Sequence, residues 1–321
     1  MKIQDHPLKG GNTDKLIEIL KSNNEKLIDL SLDKIHNAIK IGFRAFSIPK
    51  KNGKLRPIEA PNKDLKLILS ALSKSLQTLD CPEYNFCGWK KQNTLQAAKK
   101  HLNAHAYFTA DISKYYPNTK AKYVRKFFEK FNTDKETLDL LVKLTTFRNH
   151  LPTGAPTSPI LAFLSHQELF DEINEKMKEE SITFTLYADD VGLSAKHGIT
   201  NETLGYIRSV IAKHQLQAHP EKSQHFSYKK AKMLGYYLLQ NGKIDVPFSQ
   251  RHKVIKKLKE KSIYDMSINE LEKLLGKINY IHAIDNKAFK ITRIKVIKRL
   301  KYLYAERFIP IILGYLLNYK N

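Results

Sequence analysis

Ile182-Thr183-Phe184-Thr185-Leu186-Tyr187-Ala188-Asp189-Asp190-Val191-Gly192-Leu193-Ser194 sets two apolar, β-branched-leaning runs around a short polar break. This pattern predicts a β-hairpin. The break places two adjacent carboxylates, Asp189 and Asp190, on a tight turn, where like charges are unfavourable without a cation. The plain alternative is an acidic surface turn, and a lone Asp-Asp pair reads that way in most proteins. Other segments of the chain decide between the two.

The first is Tyr107-Phe108-Thr109-Ala110-Asp111-Ile112-Ser113-Lys114-Tyr115-Tyr116-Pro117. An apolar strand runs into Asp111, and a helix follows in which Val124, Phe127, Phe128 and Phe131 recur at helical spacing. Asp111 then ends a core strand and offers a third carboxylate, 78 residues before Asp189. Hard cations such as Mg²⁺ take oxygen ligands and are commonly shared with substrate phosphates. Two such ions can activate an attacking hydroxyl and stabilise the leaving oxygen.

With these segments the chain resembles a reverse transcriptase. The Asp111 segment resembles the family's first catalytic motif, and Tyr187-Ala188-Asp189-Asp190 its signature turn. Between them, Leu151-Pro152-Thr153-Gly154-Ala155-Pro156-Thr157-Ser158-Pro159 resembles the segment before the template-binding palm helix, here expected from Ile160 to about Met177. The resemblance runs from about Phe46 to about Ile284. It implies an α+β right-hand polymerase fold: residues 1–40 a helical N-terminal region, 41–245 fingers and palm with an antiparallel sheet, and 246–321 a helical basic thumb. It implies RNA-directed DNA polymerisation with two Mg²⁺ ions, held by Asp111, Ile112, Asp189 and Asp190.

Composition agrees independently. The chain carries 55 Lys+Arg against 32 Asp+Glu, a net +23, which is the electrostatic footprint of a nucleic-acid partner. Residues 251–321 hold 17 Lys+Arg and 6 Asp+Glu, a net +11. No apolar run reaches the roughly 18 residues that a membrane span needs, and Phe308 to Leu317 is too short. Met1-Lys2-Ile3-Gln4-Asp5-His6 lacks the apolar core of a signal peptide. Two cysteines, Cys81 and Cys87, exclude a disulfide framework and a four-cysteine zinc site. A bacterial cytoplasmic setting and no membrane partner are expected.

Nucleotide contacts are expected at Lys50, Lys51, Lys54, Arg56, Tyr116, Thr153, Gly154 and Lys222. Asn52-Gly53 between extended flanks signals a hairpin. As a two-residue loop it sets Lys51 opposite Lys54 and Pro49 opposite Arg56, a cationic face suited to a triphosphate. The resemblance implies that this hairpin folds over the incoming nucleotide. It also makes Tyr116 a ring that leaves no room for a ribose 2′-hydroxyl. Thr153 departs from the glutamine that many relatives carry, while Gly154 permits close backbone approach. Lys222, in His219-Pro220-Glu221-Lys222-Ser223, resembles the lysine near the leaving pyrophosphate.

Primer and template contacts are expected at Tyr187, Met233, Leu234, Gly235, Lys273 and Lys277. Met233-Leu234-Gly235-Tyr236-Tyr237, before Asn241-Gly242, resembles the primer-grip hairpin. Leu271, Leu274, Leu275, Ile278 and Ile281 give a thumb helix its apolar face, leaving Lys273 and Lys277 for phosphates. The chain is similar in size to retron and defence-associated bacterial enzymes. The resemblance implies a noncoding RNA as template and primer, dNTP substrates, a cDNA product and an effector protein. Two retron hallmarks depart: Ala97-Ala98-Lys99-Lys100-His101 lacks the expected asparagine, and Met233-Leu234-Gly235 stands in place of Val-Thr-Gly. The alternative function is a catalytically silent RNA-binding scaffold with the same fold.

Overall fold

Alternating and continuous apolar runs of the sequence become, among the described residues, nine strands paired antiparallel in three sheets. The computed structural model describes residues 1–50, 53–219, 224–227 and 230–318. Lys51 and Lys222, both expected at the nucleotide site, lie outside the described residues. The chain forms two compact units, Met1–Tyr228 and Lys229–Asn321.

In the first unit, β1 (Phe43–Pro49) and β2 (Leu55–Pro61) form a two-stranded sheet. A four-stranded sheet runs β4 (Thr183–Tyr187), β5 (Asp190–Ala195), β3 (Ala106–Asp111) and β6 (Gln224–Ser227), in that order. β3 is buried along nearly its whole length, as a central strand covered on both faces must be. The covering helices show why they form. Asn62 caps Lys63–Leu76, and Leu65, Ile68, Leu69, Leu72 and Leu76 fall at helical spacing on its buried face. In Ala121–Glu129, Val124, Phe127 and Phe128 are buried, with Phe131 just beyond, its ring edge-on to Phe127. Leu16, Ile19, Leu20, Leu27, Leu30 and Ile35 of the N-terminal helical region join the same core.

The single helix expected from Ile160 to about Met177 is two helices, Ser158–Ser165 and Gln167–Glu179. His166 divides them, at φ −124° and ψ 18°, outside helical geometry. Its ring is buried and packs 4.8 Å from that of Tyr123, which fixes the break.

The fingers-like hairpin also departs from expectation. Pro49 pairs with Leu55 and Ile48 with Arg56, so the anticipated pairing of Pro49 with Arg56 is off by one residue. The N–H of Lys50 donates to the Lys54 carbonyl at 2.7 Å, and that of Gly53 to the Lys50 carbonyl at 3.1 Å. Lys50 therefore faces Lys54. A slip of one residue exchanges the two faces of a strand. The cationic face is thus Lys50, Lys54 and Arg56.

The second unit contains β7 (Lys230–Met233), β8 (Tyr236–Leu239) and β9 (Ile244–Asp245) in one sheet. Helices Phe248–Glu260, Ile268–His282 and Lys290–Asn318 follow. Leu271, Leu274, Ile278 and Ile281 are buried together with Val254 and Val296, and Leu275 packs on them. Ser267 and Glu270 form a capping box at the start of Ile268–His282. Among the described residues no helix is long and apolar enough to cross a membrane.

Candidate active site

The β4–β5 hairpin closes through Tyr187 paired with Asp190, leaving Ala188-Asp189 as a two-residue loop. Two-residue loops favour positive φ, because that twist matches the flanking strands. Ala188 sits at φ +53°, where a side chain costs about 1–2 kcal/mol. Such a conformation persists only when its surroundings fix it. One support comes from the core: the N–H of Ile112 donates to the Asp189 carbonyl at 2.8 Å.

On the neighbouring strand, Asp111 lies directly opposite Asp190. Asp111 is buried and Asp190 exposed, so the pair straddles the surface. The carboxyl groups of Asp111 and Asp189 are in hydrogen-bond contact. Burial first, then the charges of Asp111 and Asp190, push the Asp189 carboxyl well above the usual carboxylate range. Three carboxylates from β3, β5 and the loop between β4 and β5 therefore meet at one end of the sheet. Among the described residues no group of three His, Cys, Asp or Glu is arranged to coordinate a metal. The donor set still fits a hard divalent cation: all ligands are oxygens, and their mutual repulsion is what a cation relieves. The Ile112 N–H faces the Asp189 turn, and the carbonyl of an extended residue points the same way.

Tyr116 is half-buried, and burial first, then the charges of Cys87, Asp189 and Tyr187, push its phenol pKa up. Thr153 and Gly154 both approach β2. The Thr153 carbonyl accepts from the N–H of Glu59 at 2.8 Å, and a Cβ at Gly154 would lie 3.2 Å from the Glu59 carbonyl. The close approach at Gly154 is to β2, so this segment secures the fingers-like hairpin. His150 Nε2 lies 3.0 Å from Glu59 Oε2 and reinforces that seam.

Sequence reasoning missed two supports of the hairpin. The ring of His101 is fully buried and spans the two strands. Its Nδ1 lies 2.8 Å from Ser194 Oγ on β5 and its Nε2 2.7 Å from Thr185 Oγ1 on β4. Burial lowers its pKa to about 3, so the ring is neutral. The other support is the segment before Gly88, which runs along β4: Leu186 N–H donates to the Tyr84 carbonyl and Phe86 N–H to the Leu186 carbonyl. The Ala97–His101 motif singles out His101 but not its partners, because both supports act across about a hundred residues.

Residues 48–238 match the model of the family described as reverse transcriptase (RNA-dependent DNA polymerase), well over half the chain. The chain belongs to the reverse transcriptase family. It is an RNA-directed DNA polymerase with the α+β right-hand fold of that family. This reverse transcriptase is 24% identical to the retron Ec86 reverse transcriptase of Escherichia coli, over 82% of this chain and 83% of that one. It is likewise 24% identical to the retron Se72 reverse transcriptase of Salmonella heidelberg, over 53% of this chain and 46% of that one. Among solved structures, a telomerase from Candida albicans aligns with TM-score 0.48 and 11% identity, over 80% of this chain and 56% of that one.

In the second unit of this reverse transcriptase, Met233 pairs with Tyr236 across a turn of Leu234 and Gly235, both at positive φ. Tyr280 braces that turn: its hydroxyl donates to the Gly235 carbonyl at 2.7 Å, and its ring stacks on Tyr236. Lys273 and Lys277 are exposed on the side of their helix away from Leu274 and Ile278.

Proposed function

We propose that this chain copies a partner noncoding RNA into cDNA, as a retron or defence-associated reverse transcriptase of the bacterial cytoplasm. Its similarity to retron enzymes supports the class. The observation that carries the chemistry is the meeting of Asp111, Asp189 and Asp190, three carboxylates whose repulsion calls for cations. Asp111, Asp189, Asp190 and the Ile112 carbonyl are the ligands for two Mg²⁺ ions. When bound, such ions lower the pKa of a primer hydroxyl and offset charge on the leaving pyrophosphate.

The side chains do the positioning. Arg56 grips the triphosphate as a two-pronged donor, with Lys50 and Lys54 beside it on the same hairpin face. Tyr116 closes the space a 2′-hydroxyl would fill. Tyr187, Met233, Leu234 and Gly235 hold the primer, and Lys273 and Lys277 hold phosphates without reading sequence. An effector protein is the further partner.

The test is sequencing of nucleic acid that co-purifies with the protein and with Asp189→Asn. The expected result is a discrete RNA joined to cDNA in the wild type alone, with RNA affinity equal in both. Synthesis should fall by more than the roughly 10–100-fold typical of losing an outer partner of a metal site. Equal cDNA from the mutant sinks the assignment, and RNA without cDNA in both favours the silent scaffold. Tyr116→Ala should raise ribonucleotide incorporation relative to deoxynucleotide by about 10–100-fold, the worth of about 1–3 kcal/mol of steric exclusion. Unchanged sugar discrimination removes Tyr116 from that role.

A further inference from the structure

We propose that His219 is an active-site residue whose ring donates a hydrogen bond to a phosphate oxygen of the incoming nucleotide and of the pyrophosphate that leaves. The inference rests on the polymerase reading of the three carboxylates. Backbone pairing beside β3 continues past the end of that strand. Residues 217–219 run antiparallel to Asp111, Ile112 and Ser113. The N–H of Ser113 donates to the Gln217 carbonyl at 2.7 Å and that of His219 to the Asp111 carbonyl at 2.6 Å, while Ile112 bridges Ala218 between them.

This register puts His219 directly opposite Asp111. Residues opposite each other on antiparallel segments point to the same face, with Cβ atoms about 4.5–5.5 Å apart. Burial agrees with the two faces. Ile112 is 1% exposed and Ala218 packs on the same core, whereas Gln217 is exposed and His219 half-buried. Asp190 lies opposite Asp111 on the other flank. Asp190, Asp111 and His219 therefore form one row across three neighbouring segments, two carboxylates and then an imidazole.

The row decides what the ring meets. Asp189 and Asp190 both stand on the β5 side of Asp111, so cations shared among the three carboxylates gather there and His219 flanks them. Such cations are shared with substrate phosphates. An imidazole carries at least one N–H whichever nitrogen holds the proton, so it donates to a phosphate oxygen without gaining or losing one. Of the two reacting groups, the triphosphate brings anionic oxygens and the primer hydroxyl is neutral. The segment that carries the ring is anchored. Helix Asn201–Lys213 buries Leu204, Ile207, Val210 and Ile211. Gln215 then turns the chain at φ +58°, and Leu216 returns to the core with its N–H on the Ile211 carbonyl at 3.2 Å. His219 thus reaches Asp111 in a fixed register.

His219→Leu and His219→Gln in the full chain test the assignment. Leucine fills a similar volume without a donor, and the glutamine amide restores one. In primer extension His219→Leu should lower kcat/KM for dNTP about 10–100-fold, as expected on losing a hydrogen bond to a charged group. Affinity for primed RNA should stay within about twofold, and His219→Gln should recover most of kcat/KM. A wild-type kcat/KM in His219→Leu overturns the proposal, and so does a loss that glutamine does not relieve. Calorimetric titration with magnesium pyrophosphate supplies a readout that needs no synthesis, and His219→Leu should weaken that binding by a similar factor. A loss of kcat with unchanged pyrophosphate affinity overturns the proposal, because that pattern assigns the ring to orienting Asp111. Pyrophosphate that binds neither protein, or both equally, overturns it even if the wild type makes no cDNA. Absence of cDNA from the wild type, with pyrophosphate binding still dependent on His219, counts against the polymerase reading alone.

Discussion

Two hairpins of the first unit both end in like charges, yet they are built in opposite ways. β4–β5 is buried along its length and carries carboxylates at its tip. His101 fastens its strands, Tyr84 and Phe86 bond β4 at Leu186, and Ile112 holds its loop. β1–β2 is exposed along most of its length and presents Lys50, Lys54 and Arg56. Its attachments are at the base, where Glu59 meets Thr153 and His150. The difference follows from solvation. Exposed cations lose little water and repel weakly, so the fold need not hold them. Carboxylates gathered in a half-buried corner repel strongly, so the surrounding structure must hold them there. Mutations should therefore separate: changes around β4–β5 alter stability, while changes on β1–β2 alter substrate affinity.

The largest effect should come from His101. His101→Leu leaves Thr185 and Ser194 without their buried partner and should cost about 2–4 kcal/mol, summing unmet hydroxyls of about 1–3 kcal/mol each against some apolar gain. The same residue predicts an acid sensitivity. Unfolded, its ring protonates near 6.5, whereas folded it resists until about 3. Below pH 6.5 the unfolded chain binds a proton that the folded chain does not, so stability falls with pH across that window. At pH 5 the loss is about 2 kcal/mol from this ring. His166, also lowered to about 3 by burial and by His214, adds a second share. Urea unfolding at pH 7.5 and pH 5 compares wild type with His101→Leu, which should show the smaller pH dependence. An identical pH dependence would remove His101 as the source and break the contrast.

Much of this contrast could be read before any coordinates. Asp111 at the end of a core strand and Asp189-Asp190 between two apolar runs are local patterns, and local patterns survive folding. Leu271, Leu274, Ile278 and Ile281 were legible for the same reason, since helical periodicity reports a buried face directly. The supports were less legible: the Ala97–His101 motif marks His101, but its partner Ser194 lies 93 residues away. The fingers register was misread for a different reason. Asn-Gly favours a two-residue loop, but the Lys50 N–H bonds the Lys54 carbonyl, a choice of register that composition does not fix. The close approach of Gly154 to β2 joins segments far apart in sequence, so it too was not legible locally.

The register makes the smallest prediction also the sharpest. With Ile48 opposite Arg56 and Lys50 opposite Lys54, Arg56 shares its face with two lysines. Arg56→Ala should raise the KM for dNTP about 10-fold, the worth of roughly 1.4 kcal/mol for a charge-assisted contact. Arg56→Lys keeps the charge but loses the fork, and should fall between the two. Neither should move the thermal midpoint by more than about a degree, because the side chain is exposed and its neighbours repel it. The KM effect should shrink with added salt, as it does for any exposed charge facing an anion. A stability loss in Arg56→Ala comparable to that of His101→Leu would mean that the fingers hairpin, too, is held by its charges, and the distinction between the two hairpins would fail.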